Sequence, residues 1–263
     1  MQNHFMGSIL AVAAALAVAP LLLAQTAQQS GAGMARTAAP KADLSGVWLW
    51  ASENEGGGSR RRFSLEEPPL QPWAMEIYKT NRAGLTDPRA SGLDVLDPFN
   101  YCMPPGVPRN MLGSTSPFEI IQLPNRVVIL DEMSNATRQI FLDGREHPEG
   151  WPFGWMGHSI GKWDGDTLVV DTVGRYDKTW LDHVGTPHSD ALHVVERFRL
   201  VDRDTLEVEF LFDDPKAFTK PWGAKRLYQL RPDLEIVEKV MCEQYFEIGK
   251  YLGREEGSPD PDQ

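Results

Sequence analysis

Short runs of alternating hydrophobic and polar residues fill the chain from Phe118 onward. The runs are rich in β-branched and aromatic residues, and polar segments with Asn, Asp, Gly or Pro separate most of them by gaps of hairpin length. The alternation predicts nine strands: FEIIQL, RVVILDEM, TRQIFLDG, SIGKW, TLVVDTV, LHVVERFRLV, TLEVEFLF, KRLYQL and LEIVEKVM. These strands are predicted to form an antiparallel meander, because a hairpin joins strands that run in opposite directions.

One further strand and one helix are predicted before this region. Gly46 to Ala51 is a tenth strand candidate, and Pro72 to Arg82 is the one good helix candidate. Without alternating helices, the pattern gives no support for a parallel sheet. A long meander leaves two unpaired edges unless it closes on itself. We therefore predict an all-β fold, an antiparallel meander that closes into a β-barrel with one short helix.

The start of the chain has a different composition. An apolar run at residues 9–24 is followed by small and polar residues, and no charged side chain precedes Arg36. This pattern is typical of a secretory signal peptide, so a periplasmic or secreted location is expected. The predicted organisation is a signal peptide at 1–27, a disordered linker at 28–42, a single β-barrel domain at 43–255 and a disordered tail at 256–263.

The acidic composition limits the classes of partner. The formal net charge is −11, and the only cluster of basic residues is Arg60, Arg61 and Arg62. Nucleic acids and anionic membranes attract basic surfaces. We therefore expect a small-molecule ligand or substrate, with no nucleic-acid partner and no membrane partner after signal removal. The oligomeric state is left open.

The two cysteines, Cys102 and Cys242, are far apart in the sequence. Export would place them in an oxidising compartment, where such a pair can form a disulfide. Spacing carries no geometry, so a disulfide and two separate thiols both stay open.

Two resemblances to known families add to this interpretation. Gly46, Val47 and Trp48 form a G-x-W motif that resembles the one opening lipocalins and related calycin barrels. It implies a lipocalin-like barrel that holds a ligand. The segments from about Tyr101 to Trp222 resemble a family of exported bacterial proteins, which implies that the Pro-rich and His-rich loops belong to the architecture. That resemblance implies no catalytic residue. It rests on YCMPPGVPR, FEIIQ, DGREHP, GHSIGKWDGDTLVVDT and GTPHSDALHVVERF.

Glu196 and Glu238 each lie in an otherwise apolar row of a predicted strand. Successive side chains of a strand point to opposite faces, so both carboxylates are predicted to point inward. A buried carboxylate is costly unless it is paired, and such groups often serve a function. Two interpretations stay open: a functional carboxylate in a pocket, or a structural pair with an inward residue such as Arg226 or Tyr228.

The densest set of titratable residues lies between Trp180 and Glu196. Imidazole beside a carboxylate is the minimum equipment for acid–base catalysis. The predicted catalytic constellation is His158, Asp182, His188 and Glu196, whereas His193 is predicted to face solvent. We further expect Glu196 to share a cavity with His158 or His188. A metal site built from loop residues stays open, but no metal ion and no cofactor is predicted.

Ligand-binding residues are predicted in two irregular segments. Trp151 and Trp155 lie among Gly and Pro residues in a loop that is expected to form the pocket rim. Arg109 ends a Pro-rich segment that is expected to pack across the barrel mouth, where it could hold an anionic group. With Glu238, these residues complete the predicted ligand-binding set.

Two functions are compatible with these patterns. The first is an extracytoplasmic barrel that binds a small, mainly apolar or aromatic molecule in an internal pocket. The alternative is an acid–base enzyme, a hydrolase, lyase or isomerase, on the same scaffold. Fold does not distinguish them. The His and carboxylate residues favour the enzyme, and the absence of a recognised catalytic motif favours the binding protein.

Overall fold

Nine strands and one α-helix make up the regular structure of the described residues, apart from two short 3₁₀ helices. The computed structural model describes residues 42–51, 59, 61–86, 97–101, 103–112 and 116–238. The predicted signal peptide, the tail, Cys102 and Cys242 lie outside the described residues. The elements are β1 (Gly46–Trp50), α1 (Pro72–Thr86), β2 (Phe118–Leu123), β3 (Arg126–Asp131), β4 (Ala136–Phe141), β5 (His158–Asp164), β6 (Thr167–Val173), β7 (His193–Leu200), β8 (Thr205–Asp213) and β9 (Trp222–Leu230). The 3₁₀ helices are Pro98–Tyr101 and Arg109–Met111.

The strands form a closed barrel in sequence order. β1 pairs with β2 on one side, at Gly46 and Ile120, and with β9 on the other side, at Trp48 and Leu230. Closure removes both free edges of the meander. The predicted all-β barrel, with its first strand as the closing element and one short helix, is confirmed.

Two details differ from the prediction. β4 and β5 run parallel, pairing Ile140 with Ser159 and Phe141 with Ile160. A closed ring of nine strands contains an odd number, so strict alternation of direction is impossible and one neighbouring pair must be parallel. The predicted strand LEIVEKVM is wrong for the described residues 234–238, which are in no strand. β9 already pairs with β1, so no barrel edge remains for another strand.

The G-x-W motif lies where the barrel closes. Gly46 has a φ of 139°, and a Cβ atom built on it would lie 2.6 Å from Leu230 Cδ1. The indole nitrogen of the buried Trp48 donates a hydrogen bond to the Leu44 carbonyl oxygen at 2.9 Å. Glycine at this position therefore allows β1 to approach β9 closely, and the tryptophan anchors the strand to the segment before it.

One end of the barrel, here called the upper rim, is formed by the end of β1, β6 and β8 and the start of β5, β7 and β9. Loops 174–192 and 214–221 leave from this rim, and α1 contacts both of them. The Trp73 indole nitrogen donates to the Lys216 carbonyl oxygen at 2.7 Å, and Asn81 Nδ2 donates to the Gly185 carbonyl oxygen at 2.9 Å. The upper rim is thus covered. None of the helices within the described ranges is long and apolar enough to cross a membrane.

Candidate functional site

Glu196 lies inside the barrel, as the alternation predicted, and it is fully buried. Its partner is Arg138, whose Nη1 donates to Oε1 at 2.9 Å and whose Nη2 contacts Oε2. Arg138 also donates to Ser159 Oγ at 3.1 Å and to Thr172 Oγ1 at 2.8 Å. Glu196 is therefore in a buried ion pair with a residue of β4, and neither Arg226 nor Tyr228 takes that place.

His158 lies on the outer side of the barrel wall. Its neighbour Ser159 points inward to Arg138, so the alternation directs His158 outward. The Nδ1 atoms of His158 and His147 are 2.8 Å apart, and the indole ring of Trp151 lies against the His158 ring at 4.7 Å. The barrel wall thus separates His158 from Glu196, which corrects the predicted constellation.

His188 is buried in loop 174–192 and makes two hydrogen bonds there. Its Nδ1 is 3.1 Å from the Ser189 carbonyl oxygen and its Nε2 is 2.9 Å from Thr179 Oγ1. A carbonyl oxygen only accepts, so Nδ1 carries the proton and Nε2 accepts from the threonine hydroxyl. Burial, followed by the charge of Arg175, lowers the pKa of His188 to about 3. It is a neutral loop residue that makes no hydrogen bond to Glu196.

Asp182 organises the same loop. Its Oδ1 accepts hydrogen bonds from the Val184 amide at 2.9 Å and the Thr186 amide at 3.1 Å, and its Oδ2 accepts from Thr186 Oγ1 at 2.7 Å. Burial raises the pKa of Asp182, while the hydrogen bonds from Thr186 oppose that shift. The four predicted catalytic residues therefore bond to other groups and not to one another: His158 to His147, Asp182 and His188 to threonines of loop 174–192, and Glu196 to Arg138.

Arg109 is buried, but its charge is already neutralised. Its guanidinium donates to both carboxylate oxygens of Asp97, at 2.8 and 2.5 Å, and Nη2 lies 3.0 Å from His183 Nδ1. Arg109 therefore has an internal counter-ion, contrary to the prediction that it is available for an anionic ligand. Sequence spacing could not show this pair, because Asp97 lies outside the Pro-rich segment.

The remaining predicted ligand-binding residues lie near the surface. Trp151 is exposed, and Trp155 packs against the Tyr176 ring at a centroid distance of 4.9 Å. Glu238 is also exposed and lies outside any strand, which corrects its predicted inward position. The alternating apolar residues around Glu238 predicted a strand, but the closed barrel has no free edge with which such a strand could pair.

Two further buried arginines have nitrogens without partners. Arg175 and Arg226 are 3% and 1% exposed, respectively. Arg175 donates through Nη1 to the Val107 carbonyl oxygen, and its Nε and Nη2 have no hydrogen-bond partner among the described residues. Arg226 donates through Nη2 to the Ser59 carbonyl oxygen at 2.7 Å, and its Nε and Nη1 likewise have no partner in the described part of the chain. With Arg138, they form what we call the inner arginine cluster.

The segment 106–112 lies across the upper rim. The Val107 carbonyl oxygen accepts from Arg175, and the Met111 carbonyl oxygen accepts from the Tyr228 hydroxyl at 3.0 Å. Between these contacts, the buried Asn110 has a side-chain amide whose oxygen and nitrogen both lack partners in the described ranges of the chain. The Pro-rich region thus packs across the barrel mouth as expected. Sequence reasoning missed Asn110 and Arg175, although the Pro-rich context marked the region.

The inward-facing tryptophans at the upper rim add two more unpartnered donors. Trp50 pairs with Tyr228 and Trp222 pairs with Phe212, and directly opposed residues share a face of the sheet. Within the residues that the structure describes, the indole nitrogens of Trp50 and Trp222 have no hydrogen-bond partner. The Arg226 guanidinium carbon lies 4.9 Å from the Trp50 ring centroid. This end of the interior therefore combines aromatic surface with unused hydrogen-bond donors.

A second titratable group, the outer histidine cluster, comprises His147, His158, Asp171 and His193. Asp171 Oδ1 lies 2.6 Å from His193 Nε2 and 3.3 Å from His147 Nε2. The hydrogen bond to Asp171 raises the pKa of His193, whereas burial and then the charge of His147 lower the pKa of His158. The outward parity of Asp171 and His193 on neighbouring strands was a signal that could have found this group.

Neither metal binding nor similarity to a known family assigns a function to this protein. Within the residues that the structure describes, no group of three or more His, Cys, Asp or Glu side chains is arranged to hold a metal ion. No protein-family model matches the chain, and no curated protein matches it. A functional assignment therefore depends on the geometry of the two clusters.

Proposed function

We propose that this protein binds a small, mainly apolar or aromatic molecule inside its barrel, after export to the periplasm or the exterior. The observation that carries the proposal is the set of buried donors without acceptors at the upper rim, on Trp50, Trp222 and Arg226. A buried donor without a partner costs about 1–3 kcal/mol, so native proteins retain few of them. A bound molecule with acceptor atoms would remove that cost.

The surroundings of these donors support an aromatic or apolar ligand body. The Trp222 ring lies 4.5 Å from Phe212 and 5.6 Å from Phe218, and the Phe118 ring lies 5.0 Å from Tyr228. Small-molecule sites commonly combine a mostly apolar lining with a few placed polar groups. Aromatic rings also favour flat ligands through edge and stacking contacts.

The test is a titration with N-phenyl-1-naphthylamine, a neutral aromatic dye that fluoresces in apolar surroundings. Saturable binding is expected for the wild type, together with quenching of tryptophan emission. Ala224→Phe should abolish binding, because Ala224 faces inward opposite Phe210. Leu227→Phe on the outer face of the same strand is the matched control and should bind normally. Absence of saturable binding, or equal binding to Ala224→Phe, would contradict an interior site.

A second candidate function is acid–base catalysis, and the outer histidine cluster favours it. Asp171 orients His193 through a 2.6 Å hydrogen bond. A carboxylate that fixes an imidazole in this way is a recurring part of acid–base sites. Catalysis by the outer histidine cluster would take place outside the barrel. Inside the barrel, Glu196 is paired with Arg138 and makes no hydrogen bond to a described histidine.

A panel of p-nitrophenyl esters and glycosides tests this second function. A hydrolase that uses this cluster would hydrolyse at least one compound, and His193→Gln would remove turnover. Arg197→Gln, which changes another outward residue of β7, should retain it. A binding protein would hydrolyse none of the panel, and an unchanged rate in His193→Gln would exclude the cluster as the source of any activity.

A further inference from the structure

One edge of the Arg175 side chain is free although the residue is buried. Arg175 is 3% exposed, and its Nη1 donates to the Val107 carbonyl oxygen. The two nitrogens without partners, Nε and Nη2, lie on the same edge of the planar guanidinium. That edge is the two-donor fork that binds both oxygens of a carboxylate.

The protein carboxylates near Arg175 already bind other groups. Burial lowers the pKa of Arg175 to about 9, and the charges of Glu196 and Asp214 partly oppose that shift. Glu196 accepts hydrogen bonds from Arg138. Asp214 accepts from the Ser189 amide at 2.6 Å and from Ser189 Oγ at 2.7 Å. Arg175 is therefore charged at neutral pH, and neither carboxylate bonds to its free edge.

The position of Arg175 is fixed by the backbone around it. A Cβ atom at Gly157 would lie 2.7 Å from Arg175 Cγ and 2.4 Å from the Val173 carbonyl oxygen. The glycine thus leaves room for the arginine stem to pass. The Val107 carbonyl oxygen holds the far end of the guanidinium. The Arg175 guanidinium is thus fixed in position while its Nε and Nη2 donors lack an acceptor, so the group is preorganised for a ligand.

We propose that the ligand carries a carboxylate, which binds the Nε and Nη2 edge of Arg175 beneath the segment 106–112. The inference rests on the proposed binding function and specifies its ligand class: an organic acid with an apolar or aromatic body. The acid supplies the counter-charge and the two acceptor oxygens that the protein does not provide. Arg226, a second buried arginine with two nitrogens that have no partner among the described residues, contacts the apolar part of the ligand site through Trp50.

The test compares 2-naphthoate with 2-naphthamide by titration calorimetry at neutral pH. The two probes share shape and ring system, and only the first carries a charge. The wild type should bind 2-naphthoate at least tenfold more tightly. Arg175→Met should reduce the ratio to about one while retaining the amide affinity, and Arg175→Lys should retain only part of the preference, because it keeps charge without the fork. Arg197→Met, which removes an exposed outward arginine of β7, is the matched control and should keep the full preference. Arg226→Met tests the neighbouring buried arginine as an alternative site.

The outcomes separate this inference from the proposed function. If neither probe binds, both the ligand-binding function and the inference fail. If both bind with equal affinity, the binding function stands and the carboxylate site is wrong. A preference that persists in Arg175→Met, or that disappears in Arg226→Met alone, places the acid elsewhere. NMR of the wild type tests the site if Arg175→Met does not fold. In that experiment 2-naphthoate should shift the Arg175 Nε–H resonance, and 2-naphthamide should not.

Discussion

Arg138 of β4 and Glu196 of β7 form an ion pair inside the barrel, with both side chains at most 1% exposed. Three further hydrogen bonds connect it to Ser159 and Thr172: the Arg138 nitrogens donate to both hydroxyl groups, and those hydroxyls are 2.9 Å apart. The pair therefore joins β4, β5, β6 and β7 across the interior.

Removal of one partner should be strongly destabilising. Glu196→Gln leaves the Arg138 charge buried without its counter-ion, and the expected loss in unfolding free energy is about 3–5 kcal/mol. Replacing both residues, as Arg138→Met with Glu196→Leu, should recover most of that loss. Urea denaturation measures each value. Asp164→Asn, which removes an exposed partner of Arg197, is the control and should cost less than about 1 kcal/mol. A double variant whose loss equals the sum of the losses of the two single variants would show that the pair has no coupling.

Acid should destabilise the protein through His188. Its folded-state pKa is lowered from 6.5 to about 3, so the unfolded state binds the proton more readily. The contribution is fully present above 6.5 and is lost as the pH falls toward 3, at a limiting slope of about 1.4 kcal/mol per pH unit. The comparison of wild type with His188→Gln cancels other titrating groups. Between pH 6 and pH 4, the unfolding free energy of the variant should decline less steeply than that of the wild type, because unfolding of the variant takes up on the order of one proton less. Equal slopes would contradict a neutral buried His188.

Asp171 and His193 should show the opposite pH dependence. The hydrogen bond between them raises the pKa of His193, so the pair stabilises the fold at a pH below the ordinary histidine value and loses that effect as the pH rises through the raised pKa. Asp171→Asn should therefore lower the His193 pKa measured by NMR, and it should lower the melting temperature more in mild acid than in mild base. An unchanged His193 titration would contradict the pairing.

Gly46→Ala should weaken barrel closure. The φ of 139° disfavours any side chain, and the new Cβ would lie 2.6 Å from Leu230 Cδ1. The expected cost is about 1–3 kcal/mol. Gly84→Ala is the control, because no atom of the described residues lies within 4 Å of a Cβ atom at that position of α1. That change should stabilise the helix by about 0.5–1 kcal/mol. A Gly46→Ala variant as stable as the wild type would show that β1 can move away from β9.

The inward position of Glu196 was predictable, but its partner was not. Alternation along β7 places Glu196 with Val194 and Phe198, and all three are buried. Arg138 is 58 positions away in the sequence. Which inward residues meet depends on the register and stagger of four strands, and local patterns do not record either of them. The same limit explains why Arg226 and Tyr228 were reasonable candidates and neither was the partner.

The sequence by itself determined the nine strands of the barrel, their inward and outward faces, the helix and the need to close the sheet, because each follows from side-chain alternation, turn chemistry or unpaired edges. The same alternation also predicted a strand that residues 234–238 do not form. Only the tertiary structure decided the parallel pairing of β4 with β5, the placement of His158 outside the wall and the free edge of Arg175. These features depend on contacts between segments that are distant in the chain. A buried arginine gains its partner only when the loops pack over the upper rim. That packing brings Asp97 to Arg109 and the Val107 carbonyl oxygen to Arg175.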